Sequence, residues 1–209
     1  MGSIDFKKDP IYKATTEPRI IEVPPMLFAM IDGEGAPETA GVSETDFQQA
    51  MQALFGIVYA IKFWNKNHPT PPGYSKFATA PIEGLWWTKG ANTFNPKMPN
   101  DCQWTVMIRL PEFVTQQFFD SVIKSCVNNK KSDVFKRARL QKLREGTSVQ
   151  VMHVGPYNQE QTSIDLMHAY AKERSYQLIG KHHELYFGDQ KHAAPDKLRT
   201  VLRHAVEKL

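Results

Sequence analysis

From Arg19 to Ile31 the chain reads RIIEVPPMLFAMI, an apolar run broken by Pro24 and Pro25. Proline has no N–H to give to a ladder, so the run predicts a strand with an edge or a bulge at the break. Residues 1–18 are polar and predict a loosely packed lead-in. DGEGAPETAG then predicts a loop. Ser43 is the expected N-cap of a helix, with Asp46 three residues on as an imperfect capping box. Phe47, Met51, Leu54, Val58 and Ile61 recur at helical spacing, so an amphipathic helix is predicted to about Asn65, where NHPTPPGY ends it. Strands follow over about 76–88 and 102–110, separated by the loop NTFNPKMPND. In the second, Trp104, Val106, Ile108 and Leu110 alternate with Gln103, Thr105, Met107 and Arg109. Residues 112–128 and 133–145 predict helices, the latter closed by Gly146. TSVQVMHV predicts a strand and GPYN a turn. A helix over 159–174 carries Ile164, Met167 and Ala171 on one stripe. HHELYFG predicts a strand, DQKHAAPD a loop and KLRTVLRHAV a last strand.

The order strand–helix–strand–strand thus occurs twice. This predicts an α+β fold of duplicated units related by a pseudo-twofold. Helices would cover one face of an antiparallel sheet and a ligand groove would lie on the other. A single domain over 19–209 is expected, with repeats at about 19–110 and 147–208 and a helical connector at about 112–145.

Composition narrows the function classes. The chain has 209 residues and a formal net charge of +4. Lys130, Lys131, Lys136, Arg137, Arg139 and Lys142 crowd the stretch from Lys124 to Arg144. No aromatic or Gly-rich motif is interleaved with them, so they read as a solvated helix surface rather than a nucleic-acid footprint. Cys102 and Cys126 make no disulfide framework, and no metal-ligand spacing is present. No apolar run has membrane length, and the start MGSIDFKKDP lacks a signal-peptide core. A cytoplasmic protein without cofactor or membrane partner is expected, monomeric or a weak homodimer.

Two stretches carry candidate chemistry, PIEGLWW and HHELYFG, each a glutamate among apolar and aromatic residues. On the second, His183, Leu185 and Phe187 should share the face turned to the helices, and Glu184 and Tyr186 the face turned to the groove. On the first, Glu83 is the matching acid. Regular alternation puts Leu85 and Trp87 beside it, and a bulge at Gly84 would bring Trp86 round instead. One tryptophan is expected in the core and one in the groove. Tyr157 follows Gly155-Pro156 at a turn beside the groove. Phe55, Tyr59, Phe63 and Trp64 are expected in the core. His182, His183 and Glu184 invite a metal reading, but adjacent strand residues face apart and no third ligand is evident, so none is expected.

The run MHVGPYNQEQTSIDLMHAYAKERSYQLIGKHHELYFGD resembles the GyrI-like small-molecule-binding domain, which is also the effector-binding half of bacterial multidrug-responsive transcription activators. His153-Val154-Gly155-Pro156-Tyr157, Tyr176, Gly180, Glu184-Leu185-Tyr186 and Asp189 carry the likeness, with MIDGEG and PIEGLWW resembling a stand-alone subgroup. The family's usual Asp-Pro at the last turn is Asp189-Gln190 here. The regulators' helix-turn-helix domain has no counterpart before Arg19. The resemblance implies a ligand between the halves and makes Glu184 the acid that meets cationic ligands. The subgroup is similar to cyclopropanoid cyclopropyl hydrolases, which detoxify reactive aromatic genotoxins by hydrolytic ring opening. That would make Glu184 and Glu83 a catalytic pair, with Trp86 or Trp87, Tyr157 and Tyr186 as aromatic walls. The alternative is a non-catalytic protein that sequesters or senses lipophilic cations. A third reading, a protein-binding inhibitor, fits poorly with the positive charge.

Overall fold

The computed structural model describes residues 3–37, 43–91, 101–187 and 194–209. Its strands are β1 (Arg19–Val23), β2 (Met26–Glu34), β3 (Ile82–Thr88), β4 (Cys102–Arg109), β5 (Arg139–Leu143), β6 (Gly146–Val154), β7 (Tyr176–Tyr186) and β8 (Arg199–Lys208). Its helices are α1 (Asp46–Phe63), α2 (Gln116–Lys130) and α3 (Gln161–Glu173). The strands form one sheet in the order β1-β6-β8-β7-β3-β4-β2-β5, antiparallel throughout. The α+β class and the antiparallel sheet expected from the sequence are therefore present.

The proline break in the first apolar run does more than kink a strand. β1 leaves for the far edge of the sheet and pairs with β6, while β2 pairs with β4 and β5. The same exchange occurs at Arg144-Glu145, where β5 pairs with β2 and β6 continues to β8. β5 overturns the helix expected over 133–145. Residues Asp133–Arg137 make only a short 3-10 turn, which buries Phe135. The alternating Arg139-Leu140-Gln141-Lys142-Leu143 that follows is an edge strand whose charges discourage further pairing. Arg139 meets Asp32, and Lys142 meets Glu112 at 2.8 Å.

The N-cap of α1 is Thr45, not Ser43. Its hydroxyl accepts from Gln48 N, and the Gln48 side chain returns to Thr45 N, a complete capping box. Leu54, Ile57, Val58 and Ile61 bury fully against β2 and β4. Two of the four aromatics expected in the core, Tyr59 and Phe63, are half exposed and stack on each other at 6.3 Å. A smaller cluster of Val149, Val151, Met167, Ala171, Leu202 and Val206 forms under α3.

The lead-in is not loose. Phe6, Ile11 and Tyr12 are buried in two 3-10 turns capped by Asp5 and Asp9. This segment lies across the sheet face opposite the helices, with Ile11 O and Lys13 O accepting from Arg203 and Gln150.

Candidate functional site

Cross-strand partners point to the same side of a sheet, so the registers sort the candidate residues by face. Gly84 pairs with Glu184, Trp86 with His182 and Ile82 with Tyr186. Phe47 of α1 packs on Trp86 at 5.0 Å, so this is the helix face. Glu83 pairs with Leu185, and Leu85 with His183, on the other face. The expectation that Glu83 and Glu184 line one groove is thus not met. Matching the halves through the β3–β7 seam puts His183 at the place of Glu83 and Glu184 at the place of Gly84. The echo in sequence is out of step by one residue, and one residue reverses the face. The Glu184 group lies on the helix-covered side, not on the side where the groove was expected. The two tryptophans do separate: Trp86 joins Glu184, and Trp87 joins Glu83's face.

Glu184 is buried in the seam. Tyr186 Oη donates to its Oε2 at 2.7 Å, and Trp86 Nε1 donates to Tyr186 Oη at 2.9 Å. His182 Nε2 stands 3.2 Å from Oε1. Tyr157 sets its ring edge-on to Tyr186 at 5.6 Å. Gly84 makes the arrangement possible. A Cβ there would lie 2.7 Å from Trp86 Nε1 and 3.2 Å from Tyr186 Oη, so only glycine lets the indole fold back over the strand. Burial, then the Glu184 charge, pushes the Tyr186 hydroxyl well above its ordinary range, so it stays a donor.

The residue that the sequence reading passed over is Glu160. It stands at the N-terminus of α3 and is 5% exposed. Burial first, and the Glu184 carboxylate second, raise its carboxyl to about 9. Among the described residues no hydrogen-bond partner reaches its Oε1. His153 fixes the turn that places it. The His153 ring bridges Ser163 Oγ at 3.0 Å and Pro156 O at 3.2 Å, tying the turn to the first turn of α3. Glu160 lacked a sequence signal because a glutamate opening a helix is ordinary.

Glu83 is fully buried on the other face, in a different network. Tyr12 Oη donates to its Oε1 at 2.6 Å, and His183 Nε2 lies 3.0 Å from Oε2. His183 Nδ1 is 2.9 Å from Glu145, which also pairs with Arg203 at 3.0 Å. Burial alone would lower the imidazole, but Glu145 and then Glu83 raise it to about 9. Burial alone would raise Glu145, but His183 and Arg203 bring it down to about 2. Glu83, His183, Glu145 and Arg203, with Tyr12, are locked together there from distant parts of the chain. Among the described residues no group of three His, Cys, Asp or Glu side chains has the geometry to hold a metal ion.

The profile of the GyrI-like small molecule binding domain matches residues 16–205.

The chain belongs to the GyrI-like family.

Similar solved structures carry the likeness over the whole domain. A hydrolase from Listeria innocua is 32% identical with a TM-score of 0.86, covering 98% of this chain and 100% of its own. A second Listeria innocua hydrolase is 35% identical with a TM-score of 0.87, covering 99% and 100%. An uncharacterized conserved protein from the same organism is 34% identical with a TM-score of 0.89, covering 98% and 100%. The EcmrR C-terminal domain, at 14% identity and a TM-score of 0.56, shares the fold. Comparison with curated proteins gives no match. The GyrI-like chain is thus a small-molecule-binding domain, and no helix among its described residues is long and apolar enough to cross a membrane.

Proposed function

We propose that this GyrI-like domain takes a flat aromatic molecule beside Glu184, on the sheet face that carries α1 and α3, and opens a strained, electrophilic ring on it by adding water. One observation supports the reading above others: two buried carboxyls, that of Glu160 pushed up to about 9, meet beside Trp86, Tyr157 and Tyr186. The hydrolase description of relatives at about a third identity supports the reaction class.

The reacting group is a cyclopropane conjugated to a dienone, as in aromatic alkylating genotoxins. Water attacks a cyclopropane carbon and the carbon–carbon bond breaks. The electron pair passes through the ring to the carbonyl oxygen, which becomes phenolic. Glu184 takes a proton from the attacking water, and Glu160 gives its proton to the oxygen that gains charge. One water is added, and solvent then restores the two carboxyls. Tyr186 steadies Glu184, and the rings of Trp86 and Tyr157 flank the substrate. In this proposal Glu160 takes the part expected of Glu83, and Glu83 holds the N-terminal segment. Trp87, on the opposite face, is outside this site. No metal is used.

The second reading keeps the binding and drops the turnover. A carboxylate among aromatic rings also suits a lipophilic cation, through charge pairing and cation–π attraction. Mass spectrometry after incubation with a cyclopropane-bearing aromatic alkylator separates the two. A water adduct formed over many turnovers, falling roughly 10²–10⁴-fold in Glu184→Gln, supports the hydrolase. A bound but unchanged compound supports the binder.

A further inference from the structure

The helix-free face of the sheet is covered unevenly. The pseudo-twofold that carries β3 onto β7 also carries β4 onto β8, β2 onto β6 and β5 onto β1. Following the registers, Trp87, Thr105, Asp32 and Arg139 correspond to Phe187, Val201, Met152 and Arg19. The second set lies under the N-terminal segment. Tyr12 packs edge-on to Phe187 at 6.3 Å, Met152 N donates to Thr15 O at 2.7 Å, and Arg19 reaches Pro10 O at 3.5 Å. The first set is not sealed in this way: Asp32 is exposed and Trp87 and Arg139 are partly so, although Thr105 is buried.

It lines a cleft of about 390 Å³ together with Gly33, Glu34, Gln103 and Lys181. That volume is within the range of about 300–1,000 Å³ typical of small-molecule sites. The cleft floor is Trp87, fixed by its Nε1 donating to Gln103 Oε1 at 2.6 Å. Most of the charges around it are already matched. Asp32 accepts from Thr105 at 2.6 Å and from Arg139 at 3.0 Å, and Glu34 faces Lys89 at 3.9 Å. Lys181 is the exception. Its ammonium sits 3.1 Å from the centre of a Trp87 ring, and no ion pair reaches it among the described residues. Burial lowers its pKa, and the Asp32 charge, itself paired with Arg139, offsets this only in part.

We infer that this cleft is a second ligand site, distinct from the Glu184 group, and that it takes a planar aromatic anion. The ring of the ligand stacks on Trp87 in the place Lys181 now occupies, and its carboxylate pairs with the displaced ammonium. Asp32 and Glu34 at the rim are already engaged by Arg139 and Lys89, so Lys181 is the charge left for a ligand. The chain itself shows the mode: on the equivalent half of the same face, an aromatic ring at Phe187 is covered by Tyr12. The site does not depend on what happens at Glu184, because the two groups lie on opposite faces of the sheet.

The test is a titration of the ¹⁵N-labelled protein with 2-naphthoate, read on the indole N–H signals assigned to Trp86 and Trp87. Saturable movement of the Trp87 signal is expected, with the Trp86 signal responding less. Lys181→Met should weaken binding by roughly tenfold, the scale of one partly desolvated charge contact. 2-Naphthylmethylammonium should bind the cleft at least that much more weakly than 2-naphthoate. Movement of Trp86 alone, equal binding of the ammonium compound at Trp87, or an unchanged affinity in Lys181→Met would each overturn the inference. Because Trp86 reports separately, failure of the Glu184 reading and failure of this one give different spectra.

Discussion

Replacing Glu160 by glutamine should make the protein more stable, and increasingly so as pH rises. The native state holds the Glu160 proton to about pH 9, against 4.5 for a free side chain. The sign follows from that direction. Below 4.5 both folded and unfolded chains carry the proton, and the group costs nothing. Above 4.5 the unfolded chain releases it and the folded chain keeps it, so stability falls with pH until about 9. Each unit is worth about 1.4 kcal/mol. Between pH 4.5 and 7.5 the accumulated penalty is therefore about 4 kcal/mol as an upper figure, a large share of the roughly 5–15 kcal/mol that holds a domain folded. Glutamine keeps the shape and cannot ionise. Urea unfolding of both proteins at pH 4.5, 6, 7.5 and 9 measures the difference directly. The gap should open by about 3–4 kcal/mol in favour of the variant over the first three pH values. Parallel stability curves would refute the reasoning, since they would mean that Glu160 ionises in the native state as readily as in the unfolded chain. The proposed function adds a second expectation: the stabilised variant should lose turnover, a gain in stability bought with function.

Gly84→Ala forces a methyl against Trp86, so the indole N–H signal should shift and stability should fall by about 1–3 kcal/mol; an unmoved Trp86 signal would show that the strand relaxes instead. Tyr12→Phe removes the donor to a fully buried carboxylate and should cost about 1–3 kcal/mol by chemical unfolding, with no loss if the N-terminal segment is held by its apolar contacts alone. The stability contributed by His183 is complete below pH 6.5 and lost as pH rises through about 9, so its ring should remain protonated at pH 8 by NMR; a midpoint near 6.5 would contradict the buried Glu145–His183–Glu83 cluster.

Periodicity carried most of the fold. The strong stripes of α1 and α3 were legible because each helix buries one face, and β4 because its residues alternate strictly, although both of its faces are buried. β5 was not, because its two leucines and three polar residues fit an exposed helix turn as well as an edge strand, and only the partner β2 decides between them. The buried lead-in was missed for a related reason: Phe6, Ile11 and Tyr12 are separated by polar residues that face water, and no helical or strand period joins them. At the site, Glu184, Tyr186, Tyr157 and Trp86 were all in the sequence reading, and the structure brings them together. The pairing of Glu83 with Glu184 failed on phase, since likeness of motif does not fix which residue of one strand meets which of the next. Glu160 could be found only from burial and from its nearness to another acid.

The reciprocal crossing of β1 and β5 bears on how the chain reaches this shape. Neither half can finish its own sheet. The first lacks an edge that lies beyond α2, and the second lacks one that was synthesised before its other strands. Contacts between residues as far apart as Arg19 and Gln150 must form before either edge is closed. Such remote pairing slows folding and favours a single concerted transition over stepwise assembly. It also describes what one half would do if made as a separate chain. It would present a bare strand on one side and a loose strand on the other, each complementary to a second copy. The domain has the topology of a strand-exchanged dimer joined into a single polypeptide, in which the link guarantees that each half always finds its partner.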